Sequence, residues 1–300
     1  MALSGIAIIA YCRVYNNGKN EKGYLFDPEE FYSTSSQRII TAFELAPIRA
    51  VGNAFSGGVD SSLLLALATE ELGEDCLALT VAFHSAPESE IAAARASCQA
   101  MKVKQIILDV DELKIPRFSE NPPDRCYHCK VALFSMLKAR AQAEGFSLLA
   151  DGTNADDREL YRPGLLAIDQ LKVLSPLAEQ GFTKSEVREL SRRLQLDSAD
   201  APSRPCLATR FPYGEKLTAS GLARVRDAES FLEDCGLHSF RVRSHSGLAR
   251  IEAAEEDWRL FSDSQFRAQV ESVFKELGFD FVAVDLFGFR SGSMDKSSKL

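Results

Sequence analysis

The run Ser56-Gly57-Gly58-Val59-Asp60-Ser61-Ser62 carries the densest chemistry of the chain. It follows the apolar pair Ala54-Phe55 and leads into Leu63-Leu64-Leu65-Ala66-Leu67-Ala68, a strong helix former. That order is strand, tight glycine loop, helix N-terminus. Two adjacent glycines let the backbone turn through positive φ and approach a ligand with no Cβ in the way. Amide groups and the positive end of the helix dipole then face the loop, which favours an anion. Ser61 and Ser62 add hydroxyl donors, and Asp60 can hold a magnesium ion or order the loop. A phosphate site follows from this arrangement. The rival reading is a plain turn, with Asp60 or Ser61 capping the helix.

A second constellation is built on thiols. Asn121-Pro122-Pro123-Asp124-Arg125-Cys126-Tyr127-His128-Cys129-Lys130 places Cys126 and Cys129 at C-x2-C spacing just before an expected helix. A helix N-terminus and basic neighbours both lower a thiol's pKa. Such a pair can chelate zinc or iron, or shuttle as a redox disulfide. It can equally be two thiols at a helix cap. Cys206 lies far along the chain in Pro202-Ser203-Arg204-Pro205-Cys206-Leu207-Ala208-Thr209-Arg210-Phe211. The prolines keep this stretch out of regular helix, and Arg204 and Arg210 make its surroundings electropositive. An extended, cation-flanked cysteine suits a nucleophilic thiolate or an iron–sulfur ligand. Zinc with His128 as a fourth ligand remains open against a histidine that merely packs on Tyr127.

The elements that must position these groups begin near Pro47. Cys76–Ala82 is a continuous apolar run, as expected of a strand buried on both faces, and Gln105–Val110 reads the same way. Glu88–Met101 and Lys130–Glu144 read as helices, and 147–150 as a strand entering Asp151-Gly152-Thr153-Asn154. This alternation implies an α/β fold, a doubly wound parallel sheet with right-handed crossovers. Ligands of such sheets sit at the carboxyl ends of strands near the switch point. The glycine loop and Asp151–Asn154 both occupy strand ends, so one pocket is expected between them. After Gly214 the pattern becomes helix (218–235), two strands (239–244 and 248–253), helix (261–277) and strand (281–286), a smaller α+β domain. The expected division is a 1–45 extension containing a turn at Asn16–Asn20, a nucleotide domain over 46–214, and a C-terminal domain for substrate and oligomer contacts over 215–300.

The whole chain sets limits. Its 300 residues suffice for two ordinary domains. A net charge of −8 argues against a broadly basic nucleic-acid surface. The apolar stretch from Leu3 to Cys12 lacks the preceding basic residues of a secretory signal, and no stretch approaches the ~18 apolar residues of a membrane span. A cytoplasmic protein is expected. Seven cysteines in a chain of this size do not suggest a disulfide scaffold. Cys76 and Cys98 lie in apolar runs and read as packed thiols, and Cys12 and Cys235 as structural or incidental.

The glycine loop resembles the SGGxDS loop of the PP-loop pyrophosphatases, which split ATP between the α and β phosphates. It lacks the Gly-Lys-Ser/Thr element of a Walker loop. Taken with Asn121–Lys130, Asp151-Gly152-Thr153-Asn154-Ala155-Asp156-Asp157, Tyr161-Arg162-Pro163-Gly164, Cys206–Gly214 and Gly288-Phe289-Arg290-Ser291-Gly292-Ser293-Met294, it resembles the LarE family of ATP-dependent sulfur transferases over residues 47–296. The resemblance implies adenylylation of a carboxylate of pyridinium-3,5-biscarboxylic acid mononucleotide, then displacement of AMP by sulfur, in nickel-pincer nucleotide synthesis. It implies ATP and Mg2+ at Ser56, Gly57, Gly58, Asp60, Ser61 and Ser62, with Asp151, Gly152, Thr153 and Asn154 beside the nucleotide. In one subgroup a cysteine aligned with Cys206 surrenders its own sulfur. In another, three cysteines hold a [4Fe-4S] cluster, and the presence of Cys126, Cys129 and Cys206 places this chain there. Glu229, Arg241 and Arg243, with Arg210, match the region that binds the mononucleotide's phosphate, although a solvated strand face would also account for the arginines. Arg250 and Glu252 read as a simple pair across the hairpin. A homo-oligomer is expected.

Other chemistries share the loop. An amide synthetase of the NAD or GMP synthetase kind uses ammonia and needs no cysteine at these positions. A tRNA thiolation enzyme would call for an RNA-binding surface, which the acidic total disfavours. A non-catalytic nucleotide-binding module is the fourth class.

Overall fold

The computed structural model describes residues 51–159, 163–202, 204–290 and 292–294. The N-terminal extension with its Asn16–Asn20 turn, Cys12, Tyr161-Arg162, Ser203 and Ser291 lie outside the described residues.

The first layer is a parallel sheet in the order β3-β2-β1-β4, from β1 (Val51–Ala54), β2 (Cys76–Phe83), β3 (Lys104–Val110) and β4 (Leu148–Asp151). The connecting helices are α1 (Val59–Leu72), α2 (Glu88–Ala100) and α3 (Arg125–Ala143). The chain steps from β1 outward to β3 and then returns to the other side of β1 for β4. That reversal sets the carboxyl ends of β1 and β4 side by side, with Ala54 in register with Asp151. The doubly wound reading holds, and the two predicted loops leave adjacent strands.

Leu63, Leu64, Leu65, Leu67 and Ala68 on α1 pack with Val51, Phe55, Val187 and Leu190 in one core. Each such leucine or phenylalanine contributes about 1.5–3 kcal/mol when fully buried. Cys76 and Cys98 belong to this core, so both are packed thiols. β3 departs from expectation. Along it only Val110 is buried, because β3 is an edge of the sheet and has a neighbour on one side alone.

α3 also differs. It begins at Arg125 and not near Lys130. Pro122 and Pro123 sit before the first turn, where a missing N–H costs nothing, and the Tyr127 amide already donates to the Asp124 carbonyl at 2.9 Å. Cys126 and Cys129 therefore stand on the first turns of a helix instead of in the loop before it.

Beyond β4 come α4 (Ala155–Glu159), α5 (Pro163–Gln170), α6 (Pro176–Glu179) and α7 (Lys184–Arg193). The second sheet has the order β5-β6-β7, from β5 (Phe240–His245), β6 (Leu248–Ala253) and β7 (Phe281–Val284), flanked by α8 (Ala219–Asp234) and α9 (Ser264–Glu276). Ser246 and Gly247, at φ 45° and 96°, form the two-residue turn of the β5–β6 hairpin. The stretch before α9 is a 3-10 segment over Glu255–Ser262, so the helix expected from 261 starts later. The core of this unit joins Val242, Ile251, Leu222, Val225 and Phe274 to Phe118, Ala208 and Phe211. It thus takes in residues on the N-terminal side of Gly214 and roots the Cys206 segment in the second sheet.

Candidate active site

The glycine loop opens to solvent at Ser56, Gly57 and Gly58, while Ser61 and Ser62 are buried beneath it. Gly57 adopts φ 77°, the left-handed region that glycine takes at no steric cost. The Ser61 hydroxyl donates to the Gly58 carbonyl at 3.0 Å and lies 3.1 Å from the Ser56 hydroxyl. Ser61 thereby braces the loop from inside. The Ser62 hydroxyl is buried with no partner among the described residues.

Asp60 is already engaged. The Asn154 side-chain amide donates to it at 3.0 Å, and Lys184 forms an ion pair with its other oxygen. Lys184 is a site residue that the sequence reading missed. The available signal is the capping box Thr183-Lys184-Ser185-Glu186, which fixes the start of α7 and hence the lysine at its first position.

Asp151 ends β4 and is buried. Burial pushes its carboxyl above the ordinary range, opposed by hydrogen bonds from Thr153 and Ser175. Those hydroxyls donate at 2.6 Å and 2.7 Å. Gly152 serves by being small: a Cβ there would fall 2.7 Å from the Ser61 backbone nitrogen. The absence of a side chain lets the β4 loop press against the N-terminus of α1. Asn154 in turn accepts the Asp157 amide at 3.0 Å, ordering α4.

The three cysteines lie within electrostatic reach of one another. Cys129 is half-buried, and Cys126 and Cys206 are exposed. Desolvation pushes Cys129 up to about 12, with Cys206 and Cys126 adding to the rise and Arg125 opposing it. Cys206 keeps solvent-accessible surface on one side but is crowded by protein on the others. Desolvation raises its thiol, and the Ala208 backbone and the Arg125 and Arg210 charges pull it down. His128 takes no part. Its Nε2 lies 3.0 Å from Asp124 and 2.9 Å from Arg117. Among the described residues no three of His, Cys, Asp and Glu converge on a single metal ion, so the mononuclear zinc reading is not assembled.

The turn Leu207–Arg210 that follows Cys206 is gripped by its carbonyls. Arg210 donates to the Pro205 carbonyl at 2.9 Å, Arg243 to the Thr209 carbonyl at 3.0 Å, and Arg125 to the Ala208 carbonyl at 3.3 Å. Two of these arginines have carboxylate partners, one half-buried and one buried. Arg210 meets Glu229 through two bonds of 2.9 and 2.8 Å, and Glu229 also accepts the Val242 amide at 2.9 Å. Arg243 meets Glu252 at 2.9 and 2.8 Å. Arg250 joins the same carboxylate from its own strand at 3.1 Å, and the Ser293 hydroxyl donates to it at 2.7 Å. Arg250 and Glu252 are thus neighbours along β6 and not a pair across the hairpin. Arg210 and Arg243 thus each hold a backbone carbonyl and a carboxylate at once. Arg241 is different: it lies over the Phe289 ring at 5.0 Å. Desolvation, then the positive charge of Arg210, lower it to about 10. An arginine so held beside other cations suits an incoming anion.

Thiols and glycine loop are linked. Arg204 lies 3.5 Å from Glu90 of α2; one turn further along α2, Ala94 stands 3.6 Å from where a Gly57 Cβ would be. On the other side, a Gly164 Cβ would meet Lys130 at 2.9 Å and the Cys126 carbonyl at 3.7 Å, and Lys130 acts electrostatically on Asp151.

A parallel sheet with a phosphate-type loop at its switch point, and a thiol cluster joined to that loop, defines an ATP-utilising synthase of the PP-loop class. The asparagine synthase family matches residues 48–131, which span the loop and the start of α3. The chain is 34% identical over 255 residues to the pyridinium-3,5-bisthiocarboxylic acid mononucleotide synthase of Lactiplantibacillus plantarum, covering 84% of this chain and 91% of that one. An uncharacterised protein of Synechocystis is 38% identical over 243 residues, 81% of this chain and 91% of its own length. A component of the glutamine-hydrolysing GMP synthase of Methanoculleus marisnigri is 27% identical over 203 residues, 63% of this chain and 65% of that one. The chain belongs to the LarE family, the family of the Lactiplantibacillus synthase. It is a sulfur-transferring synthase of the PP-loop type.

Proposed function

We propose that the chain uses ATP and Mg2+ to adenylylate a carboxylate of pyridinium-3,5-biscarboxylic acid mononucleotide and exchanges oxygen for sulfur at that carbon. The observation that carries this reading is the Arg204–Glu90 link between the Cys206 segment and the helix over Gly57. A carboxylate resists substitution because its leaving group would be oxide. One of its oxygens attacks the α-phosphorus, and pyrophosphate departs toward Ser56, Gly57 and Gly58. A sulfur nucleophile then attacks the activated carbonyl carbon. The C–S bond forms, the C–O bond to AMP breaks, and AMP leaves with the electron pair as its phosphate.

Asp60 supports a magnesium role once Lys184 yields its carboxylate to the ion. Arg241 receives the mononucleotide's phosphate, with Arg210 and Arg243 fixing the frame behind it. Glu229 and Glu252 balance the charge of that frame.

Cys126, Cys129 and Cys206 fit a [4Fe-4S] cluster better than a single ion, since a cubane spreads its ligands over separate irons. These residues would hold it, and one iron without a protein ligand would supply an exchangeable sulfide. The exposed, clamped Cys206 supports the sacrificial route as the second reading. There Cys206 itself forms the thioester, loss of its Cα proton breaks the Cβ–S bond, and dehydroalanine remains. An anaerobic absorption spectrum with iron and sulfide counts, on wild type and Cys129→Ala, separates the two. A brown wild type holding four irons, lost in the variant, supports the cluster; a colourless, iron-free and fully active protein overturns it.

We place the enzyme in the cytoplasm, where the thiols stay reduced. Among the described residues no helix is long and apolar enough to cross a membrane. A homo-oligomer is supported by Phe281, Leu286 and Phe287, all more than two-thirds exposed at 71%, 81% and 78% on and just after the outer strand β7.

A further inference from the structure

Arg125 differs from the other two arginines that grip the Cys206 turn. It is 2% exposed, and its guanidinium donates to the Asn121 side-chain oxygen, to the Ala208 carbonyl at 3.3 Å and toward the Cys126 sulfur at 3.9 Å. The Tyr213 ring lies 6.0 Å away. Every one of these partners is neutral or a thiol. Among the described residues no carboxylate pairs with Arg125, whereas Arg210 has Glu229 and Arg243 has Glu252. Glu112, the acid that reaches Cys129 electrostatically, has both oxygens on the His84 and Ser85 amides at 3.1 Å.

A buried cation without a counter-charge is costly, and one partner removed from a buried pair destabilises strongly. Arg125 also opens α3, at the positive end of the helix dipole. Two positive fields therefore meet where Cys126 and Cys206 emerge, and no carboxylate among the described residues pairs with Arg125 to offset them. The missing negative charge belongs to what the site carries.

We propose that Arg125 is the charge-balancing and positioning residue of the sulfur site: it ties the Cys206 turn to the first turn of α3 and holds the anionic sulfur, whether thiolate or bound sulfide, that meets the activated carboxyl. This rests on the sulfur-transfer reading. Asn121 completes the tie, donating from its side chain to the Pro212 carbonyl at 2.7 Å.

Charge and mere hydrogen bonding are separable by substitution. Lysine keeps the charge and loses the planar fork; glutamine keeps neutral donors and loses the charge. The test alkylates the full chain, with no cluster loaded, using iodoacetate and iodoacetamide in parallel, and reads Cys206 and Cys126 by peptide mass. The ratio of the two rates cancels the thiolate fraction and reports attraction of an anion. The wild-type ratio should fall about tenfold in Arg125→Gln and stay within about twofold in Arg125→Lys. Adenylate formation, read as substrate-dependent pyrophosphate exchange, should persist in both variants, while sulfur product is lost in Arg125→Gln and partly kept in Arg125→Lys. An unchanged ratio in a folded Arg125→Gln protein overturns the proposal. A wild type that makes no sulfur product defeats the functional reading instead, and the alkylation ratio still tests Arg125 on its own.

Discussion

The Arg204 guanidinium lies 3.5 Å from the Glu90 carboxylate, and this pair bridges the segment that carries Cys206 and the helix laid against the glycine loop. Arg204 reaches Glu233 on α8 at 2.6 Å with its other nitrogen. One side chain thus touches the nucleotide layer and the second sheet's layer, with Cys206 two residues away. Both partners are partly exposed, so the pair contributes little to stability, at most ~1 kcal/mol. Its value is positional. Glu90→Gln should leave the urea midpoint nearly unchanged and first-turnover pyrophosphate release intact, while slowing sulfur transfer several-fold. Quench-flow measurement of the two products separates these steps.

The Arg210–Glu229 pair predicts the opposite balance. Arg210 is 3% exposed in its side chain and Glu229 16%. Removing one member leaves an uncompensated charge, so Arg210→Ala should cost about 3–5 kcal/mol in chemical unfolding. An Arg210→Met/Glu229→Leu double variant should recover most of that loss while remaining poor in sulfur transfer. A cost below about 1 kcal/mol for Arg210→Ala would show that the pair does not hold the turn.

Gly152→Ala tests the contact between the two strand-end loops. The new methyl would fall 2.7 Å from the Ser61 nitrogen and 2.9 Å from the Asp60 carbonyl carbon, and both are backbone atoms with little room to yield. Overpacking of this kind costs about 1–3 kcal/mol. Because the displaced atoms belong to the loop itself, the KM for ATP should rise with the loss of stability. A surface glycine of no consequence would move neither.

This contact also shows how far residues alone reveal the site. The glycine loop is legible because its donors lie on one contiguous run, and the helix after it is written in leucines. Asp151–Asn154 is legible as a strand end, but the close approach of Gly152 to the Ser61 backbone is not. The clamps are not legible. Arg125, Arg210 and Arg243 bind backbone carbonyls, which every residue has, so no spacing in sequence marks their partners. Lys184 escapes for a related reason: its partner Asp60 lies 124 residues away, and only the fold joins them. The early start of α3 is masked by Pro122-Pro123, a pair that looks like a loop and serves as a helix lead-in.

Asp151 gives a pH signature. Burial raises its carboxyl above the ordinary value, so the folded state holds the proton more tightly than the unfolded chain. That contribution is fully present below about pH 3.9 and is lost as pH climbs through the raised pKa. Asp151→Asn removes it. The stability of wild type relative to the variant should therefore decline in urea titrations as pH rises above about 3.9 and level once the raised pKa is passed. A relative gain by wild type over that interval would contradict the burial assignment.

The central claim is that the activated carboxyl and the Cys206 sulfur meet. It is tested most directly by Cys206→Ala, incubated with ATP, Mg2+ and the pyridinium dicarboxylate mononucleotide, with AMP and the sulfur-containing product followed together by mass spectrometry. The account predicts that wild type yields both. The variant should still form the adenylate, detected as substrate-dependent pyrophosphate exchange, and should make no sulfur product. Sulfur product from Cys206→Ala at the wild-type rate would contradict it.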